Sequence, residues 1–380
     1  MDFLSFAYAA LIAISLLGVD AIVHSGTVVT EVAVAPQISK LTTLSVDTAT
    51  LQSEFDGQLN KIAIMPSLSA PAIIRSSNEN GIAISLAKAV NVESLARALQ
   101  AEFVAEPDST RLALFVEGGE VRGLISGRSR KGVDFREIVT PDKDERLVDF
   151  VRRCAVIGGA RLAPHRTALY LLNKHAGDGD FKAVIGLAER SKAMLPPTPL
   201  SADRALFDNL IGIVHLFQND PKAARLSFDA AIAADPDNAV AALNAAFTDI
   251  HMDEYRKAAD RMRRLIEVAP PRNTVLLSTA YTTWAAAQLG MRDPAGAERL
   301  LKQALEIYPE SATAYQLWSD AKKASGDSAG AAGLRRKALE STGTFENYPE
   351  IATLYFQLSW QDGAPLRRST FANPEVVSFH

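Results

Sequence analysis

Residues Leu210–Pro236 read LIGIVHLFQNDPKAARLSFDAAIAADP, and this stretch decides the fold of the C-terminal half. Gly212 is a small residue in a first apolar run, Ala224 a small residue early in a second, Phe228 a large one four positions later, and Pro236 closes the segment. That order suits two closely packed helices. The small residues let the helices approach, the large one fills the space between them, and the proline ends the second helix because it cannot continue one. The pattern recurs. Gly212 and Ala246, Ala224 and Ala258, and Pro236 and Pro270 are each 34 residues apart. So are Tyr281 and Tyr315, Trp284 and Trp318, Ala297 and Ala331, and Ala304 and Ala338. One step is longer: Ala258 to Ala297 and Pro270 to Pro309 are both 39, which places an insertion around Pro270-Pro271-Arg272-Asn273. No single pair buries its apolar face alone, so neighbours must stack.

These units resemble the tetratricopeptide repeat family. Gly212, Ala224, Phe228, Ala231 and Pro236 keep the family's order of small, alanine, aromatic, alanine and proline, and the unit ending at Pro309 keeps Tyr281, Trp284, Ala285, Ala297, Leu301 and Ala304. The match covers Ala205–Gly343, with departures at Leu265, Arg335 and Gly343. A degenerate earlier unit is expected over Thr167–Leu195, followed by a longer connection, Leu195–Leu200. Ile351–Trp360 is expected to be a terminal helix. The resemblance implies an all-α superhelix over residues 161–360, followed by an extended tail over 361–380. It also implies a concave face lined by the first helix of each pair. Helical phase puts Asn209, Ile213, Leu216, Leu243, Phe247, Ile250, Thr279, Thr282, Thr313, Gln316 and Asp320 on that face; several of the apolar ones suit ordinary helix packing as well. The chaperone-binding members of the family clamp a carboxylate with Lys and Arg, and this lining has neither. A mixed apolar and hydroxyl groove suits an extended or helical segment of a protein partner. The cluster Arg256, Lys257, Arg261, Arg263 and Arg264 falls on a second helix, and so on the outer side.

The amino terminus is different in kind. Phe3–Val23 reads FLSFAYAALIAISLLGVDAIV, with Asp20 its one charge. At about 1.5 Å per residue it is long enough to cross a bilayer. No Lys or Arg precedes it, as a signal peptide would normally require, so residues 1–25 read as an anchor ahead of a cleaved leader. The first positive charge is Lys40, which favours a short cytoplasmic terminus with everything beyond residue 25 outside. The expected location is a bacterial inner membrane, single-pass, with the C-terminal domains periplasmic.

Residues 26–160 read as a small α+β domain with a largely antiparallel sheet. Thr27–Ala35 alternates like a strand, and Leu51, Phe55, Leu59 and Ile62 recur on one helical face. Ile82–Leu86 suits a strand and Asn91–Phe103 a helix. Three strand-like runs follow at Arg111–Glu117, Glu120–Ser126 and Gly132–Val139, with Gly118-Gly119 suited to a hairpin. Asp144–Val156 closes the domain as an amphipathic helix. Ser67-Leu-Ser69 and Ser76-Ser77 read as loop. In outline the domain resembles those that precede helical repeats in some bacterial envelope proteins, the N-terminal part of TolB-like proteins among them; no residue is carried over. Arg122, Arg128, Arg130, Lys131 and Arg136 lie on the meander, where hairpin charge is usually solvated. Contact with anionic lipid or an acidic partner is the sharper alternative.

Composition narrows the function. A net charge of −4 gives no global basic field for nucleic acid, and 48% hydrophobic with 22% charged residues is ordinary for a globular protein. The single cysteine, Cys154, excludes an internal disulfide and a cysteine metal cluster, and the six histidines lack metal-ligand spacing. No HExxH, GxSxG or phosphate-loop motif is present. The expectation is a non-catalytic, membrane-tethered scaffold with no cofactor, no metal and no nucleic-acid partner. The alternatives are an α+β domain that senses a small molecule, or an enzyme with an unrecognised site in residues 27–160.

Overall fold

Strand β1 (Thr27–Val34) is the organising element of the first unit. In the computed structural model, which describes residues 27–38, 47–65, 67, 73–76, 108–129, 133–268, 273–341, 350–351, 356–361 and 364–371, two compact units divide the chain. One holds the described residues up to Met65, from Ile73 to Ser76 and from Asp108 to Thr167. The other holds Ser67 and the described residues from Ala168 onward.

The first unit is a five-stranded sheet in the order β2-β1-β3-β4-β5, with β2 Ile73–Ser76, β3 Asp108–Glu117, β4 Glu120–Arg128 and β5 Asp134–Val139. β1 runs parallel to β2 (Thr27↔Ile73 to Thr30↔Ser76) and to β3 (Val28↔Asp108 to Val34↔Leu114). β3, β4 and β5 form an antiparallel meander. The sheet is therefore mixed, not largely antiparallel. The cause lies in the connections: helix α1 (Thr48–Ala63) separates β1 from β2, and a crossover helix returns the chain in the same direction. β3 turns tightly into β4 at Gly118 and Gly119, which adopt φ of 62° and 87°. A two-residue turn with both φ values positive is one that glycine enters without strain. Ser76, expected in a loop, ends β2. The strand expected over 82–86 and the helix over 91–103 lie outside the described residues.

One face of the sheet is buried. Val32, Leu112, Leu114, Ile125 and Val139 pack with Leu51, Phe55 and Leu59 of α1 and with Phe150, Val151, Cys154 and Ala155 of α2 (Leu147–Leu162). β2 pairs with β1 only as far as Thr30, and the next N–H on that side, of Val32, donates instead to Gln52 Oε1 at 2.6 Å. Thr30 Oγ1 donates to Asp56 Oδ1 at 2.6 Å, a second tie between strand and helix.

The second unit is a helical repeat array. Its helices are α3 (Pro164–His175, whose first turn up to Thr167 belongs to the sheet unit), α4 (Lys182–Met194), α5 (Ala202–Phe217), α6 (Pro221–Ala234), α7 (Ala239–His251), α8 (Tyr255–Val268), α9 (Thr274–Gly290), α10 (Pro294–Ile307), α11 (Ala312–Ala324) and α12 (Ser328–Glu340). From α4 onward each helix packs against the next, and the first helices also meet in succession, α5 with α7, α7 with α9 and α9 with α11. The starts are capped by short polar side chains: Asp220, Asp293 and Asp327 accept from the N–H three residues on at 2.8–2.9 Å, and Ser201, Asn238, Asn273 and Ser311 serve the first helices. Within each pair the turn uses one left-handed residue: Asn219, Asp253, Arg292 and Gly326, spaced by 34, 39 and 34. The connection before α9 is one residue longer than the one before α7, and α9 has 17 residues against 13 in α7, so the long step is taken up mostly as an extra turn of α9 and not in the connection where the insertion was expected.

Packing explains the small residues. A Cβ on Gly212 would lie 2.4 Å from the Phe228 ring, so a fully buried aromatic in α6 demands glycine in α5. In the next two units the corresponding residues are Ala246 with Met262 and Ala285 with Leu301, all in one core cluster. The terminal helix expected over Ile351–Trp360 is not formed. Phe356–Gln361 is strand β6, paired antiparallel with β7 (Ala364–Phe371) where an extended tail was expected. Ten residues offer too little periodicity to separate the two states, and Phe356, Leu358 and Trp360 alternate as a strand requires.

Candidate functional site

Polar side chains facing inward from two first helices of the array make the candidate site. Asn209 on α5 and Asn244 on α7 lie on successive first helices, 35 residues apart, and are both buried. Asn244 Nδ2 donates to Asn209 Oδ1 at 2.8 Å, which orients the two amides together. Both then donate to one main-chain oxygen, that of Glu350, Asn209 at 3.0 Å and Asn244 at 2.9 Å. A carbonyl oxygen has two lone pairs, and this one receives two amides. Asn244 is itself held by its helix, where Thr248 Oγ1 donates back to its carbonyl at 2.7 Å.

The segment so gripped is buried on both counts. Glu350 is 2% exposed, and its carboxylate accepts from Ser67 Oγ at 2.6 Å. Ile351, also 2% exposed, inserts into the core cluster that contains Leu243, Ala246, Leu276 and Ala280. β6 and β7 continue beside α11 and α9 respectively. The face expected to take a partner therefore already carries a piece of this chain.

Among the other expected lining residues, Ile213, Leu216, Leu243, Phe247 and Ile250 are buried, and Leu243 and Ile250 belong to the same core cluster as Ile351. Thr279 and Thr282 are buried and return their hydroxyls to Val275 O and Ser278 O in their own helix. Thr313 is exposed and Gln316 half-buried. Asp320 is buried; burial raises its carboxyl above the usual range, against the opposing pull of Lys323, the Gln316 amide and Arg335. Its Oδ1 meets Gln316 Nε2 at 3.4 Å, and its Oδ2 has no hydrogen-bond partner among the described residues.

Sequence reasoning passed over Asn244 because the helical phase singled out Leu243, one residue away. The available signal was an amide inside an alanine-rich run, AALNAAF, 35 residues after Asn209 in FDNLIGI. Buried polar groups are costly unless paired, so a matched pair of them marks a purpose.

On the far side of α7, Asp249 is fully buried and ion-paired with Arg225 of α6; Arg261 of α8 reaches its other oxygen at 3.4 Å and Asp229 at 3.1 Å. Arg261, read as part of a solvated patch, thus ties successive units together. Arg263 pairs with Asp260 and Lys257 with Glu254, while Arg256 and Arg264 are exposed. In the sheet unit, Arg122 pairs with Glu117 at 2.5 Å and Arg128 with Asp134 at 3.3 Å. Arg136 is exposed on β5, opposite Ser126, and Arg130 and Lys131 lie outside the described residues. Cys154 is buried against β4, and burial pushes its thiol up to about 12, so it stays protonated at neutral pH. No cluster of metal-ligating side chains occurs among the described residues, and no helix among them is long and apolar enough to cross a membrane. The apolar segment Phe3–Val23 lies outside them.

No protein-family model matches the chain, and no curated protein matches it. Among solved structures it is similar to MamA, with 23% identity over 44% of this chain and 92% of that chain at TM-score 0.35. It is also similar to PilF of Pseudomonas aeruginosa, with 16% identity over 47% of this chain and 77% of that one at TM-score 0.39. Overlays this loose decide neither fold nor function. The repeat array stands on its own helices, caps and spacing.

Proposed function

We propose that the chain is a non-catalytic scaffold whose repeat array takes an extended segment of a protein partner on its first-helix face, and that residues 3–23 tether it to a bacterial inner membrane with both units periplasmic. The observation that carries the binding reading is the pair Asn209–Asn244. Two buried amides on successive units converge on a single main-chain carbonyl, a way of holding the backbone of an extended segment. The resemblance of the units to tetratricopeptide repeats supports the same reading. The tether rests on the length and apolarity of Phe3–Val23 and on the absence of Lys and Arg before Lys40. The TolB-like outline adds nothing, since no residue carries it. Contact of Arg136 and its neighbours with lipid, small-molecule sensing and an enzymatic role for the sheet unit are not taken up, because no described cluster favours them.

The test is selection of a random peptide library on the full-length chain in detergent, repeated on the Asn209→Ala/Asn244→Ala double variant. Selected peptides should lose at least about tenfold in affinity for the variant, the effect of removing two buried hydrogen bonds. Equal binding by both proteins sinks the groove. Protease digestion of intact spheroplasts tests the tether: both units should be degraded from outside, and their protection would remove the periplasmic assignment.

A further inference from the structure

We infer that Glu350–Ile351 is a built-in ligand of the array, and that the partner segment displacing it presents the same three features: an acceptor carbonyl, the acidic side chain of the same residue, and a branched aliphatic residue immediately after. This deepens the groove reading and rests on it.

Each feature has a receptor in the structure. The Glu350 carbonyl accepts from Asn209 and Asn244. Its carboxylate accepts from Ser67 at 2.6 Å. The Ile351 side chain fills a place in the core cluster shared by α7 and α9. Both amides are buried, and departure of the segment would remove the carbonyl to which each of them donates. Glu350 lies 141 residues from Asn209 and 106 from Asn244. Contacts across such distances in a repeat array, where neighbours otherwise serve neighbours, are made by a segment that returns to the array from beyond its last helix.

A tethered ligand competes at a high local concentration. With an effective concentration of about 1 mM and an intrinsic Kd of roughly 100 μM, the segment occupies the site about nine-tenths of the time and weakens a free competitor about tenfold. A partner then binds productively only if it is tighter or itself tethered, which suits a scaffold that must ignore stray peptides.

The experiment uses the full-length chain in detergent and a fluorescein-labelled peptide of residues 345–355, FENYPEIATLY, with binding read by fluorescence anisotropy. Wild type should bind weakly, Ile351→Ala more tightly, and Ile351→Asp at least about tenfold more tightly than wild type. Adding Asn209→Ala/Asn244→Ala to Ile351→Asp should abolish the gain. Far-UV circular dichroism establishes that each variant keeps its helices; if Ile351→Asp does not, Ile351→Ala decides. Equal affinity for wild type and the Ile351 variants overturns the built-in ligand. If that shared affinity still falls with the asparagine pair removed, the groove reading survives. Absence of binding to every folded variant also overturns the inference, and the library selection then judges the groove separately.

Discussion

In the sheet unit, Val28 of β1 lies in register with Asp108 of β3, eighty residues later. In the array, Gly212 faces Phe228, sixteen residues later. The first unit closes its core by bringing distant strands together, and fills it with large side chains such as Phe55, Phe150, Leu112 and Ile125. The second closes its core locally, pair by pair, with alanine and glycine setting the helix separation. Long-range closure makes one cooperative object in which any lost register is felt throughout. Local closure makes a series of similar joints, each of which can be weakened alone. The Glu350–Ile351 segment is the exception: it imposes a long-range contact on a locally built array.

The contrast can be tested by adding a single methyl group to each unit. A Cβ on Gly127 would lie 2.0 Å from the Ser109 carbonyl oxygen and 2.5 Å from the Phe135 ring, so Gly127→Ala must displace the β3–β4 pairing itself. The expected loss is about 3 kcal/mol, confined to the sheet. Cys154, the only thiol, is buried in that unit and serves as its reporter. Thiol labelling in denaturant should shift to lower concentration while the helical circular dichroism midpoint of the array holds still; equal movement of both would erase the distinction. Next in size, Gly212→Ala should cost the array about 2 kcal/mol through the Phe228 ring. Adding Phe228→Leu should recover part of it. Additive losses in that double-mutant cycle would mean that the two residues do not define the joint.

The same contrast governs what could be read beforehand. The 34-residue period was legible because each joint obeys a local rule, with small residues, a large filler and a helix stop at fixed offsets. The step of 39 reappears in the structure as the spacing from Asp253 to Arg292. The parallel pairing of β1 was only half legible. A helix between two strands implies it, but alternation within a strand says nothing about the partner's direction. The Asn209–Asn244–Glu350 site was not legible as a site, because it depends on where a distant segment lands. A pair of buried amides on successive first helices, one residue off the unit spacing, was the trace it left. The hairpin β6–β7 was misread because hydrophobic spacing in ten residues fits a helix and a strand alike.

The units should also part company with pH. In the sheet unit, burial and the nearby Arg166 charge hold His165 down at about 4, and burial holds Cys154 up at about 12. A depressed histidine contributes stability above its ordinary 6.5 that is lost as the pH falls toward 4. A raised thiol contributes stability below its ordinary 9.0 that is lost as the pH rises toward 12. The sheet unit should therefore be most stable between those ordinary values and melt earlier on both sides. In the array, Asp320 is raised above 3.8 by burial. Its contribution is fully present below that value and is lost as the pH rises, so at pH 7 the ionised carboxylate is a liability. Asp320→Asn should stabilise the array by about 1 kcal/mol at neutral pH, and the gain should vanish near pH 3. Calorimetry across that range checks both units, and a gain that persists in acid would assign the effect to packing instead of charge.

The smallest expected effect tests whether the joints are as equivalent as the period implies. Asn219, Asp253, Arg292 and Gly326 hold the same left-handed turn in four successive pairs, at φ of 57°, 61°, 61° and 83°. Asn and Asp tolerate that conformation through local hydrogen bonds and glycine has no Cβ to clash, but arginine has neither recourse. Arg292 is exposed, so its side chain offers little packing in return. Arg292→Gly should relieve the strain, and after the greater chain entropy of glycine in the unfolded state is set against it, the array should gain about 0.5 kcal/mol. Gly326→Arg should lose at least as much, while Asn219→Gly should change little. If Arg292→Gly destabilises and Gly326→Arg does not, the turn is set by the contacts of its own unit, and the equivalence of the joints ends at the helices.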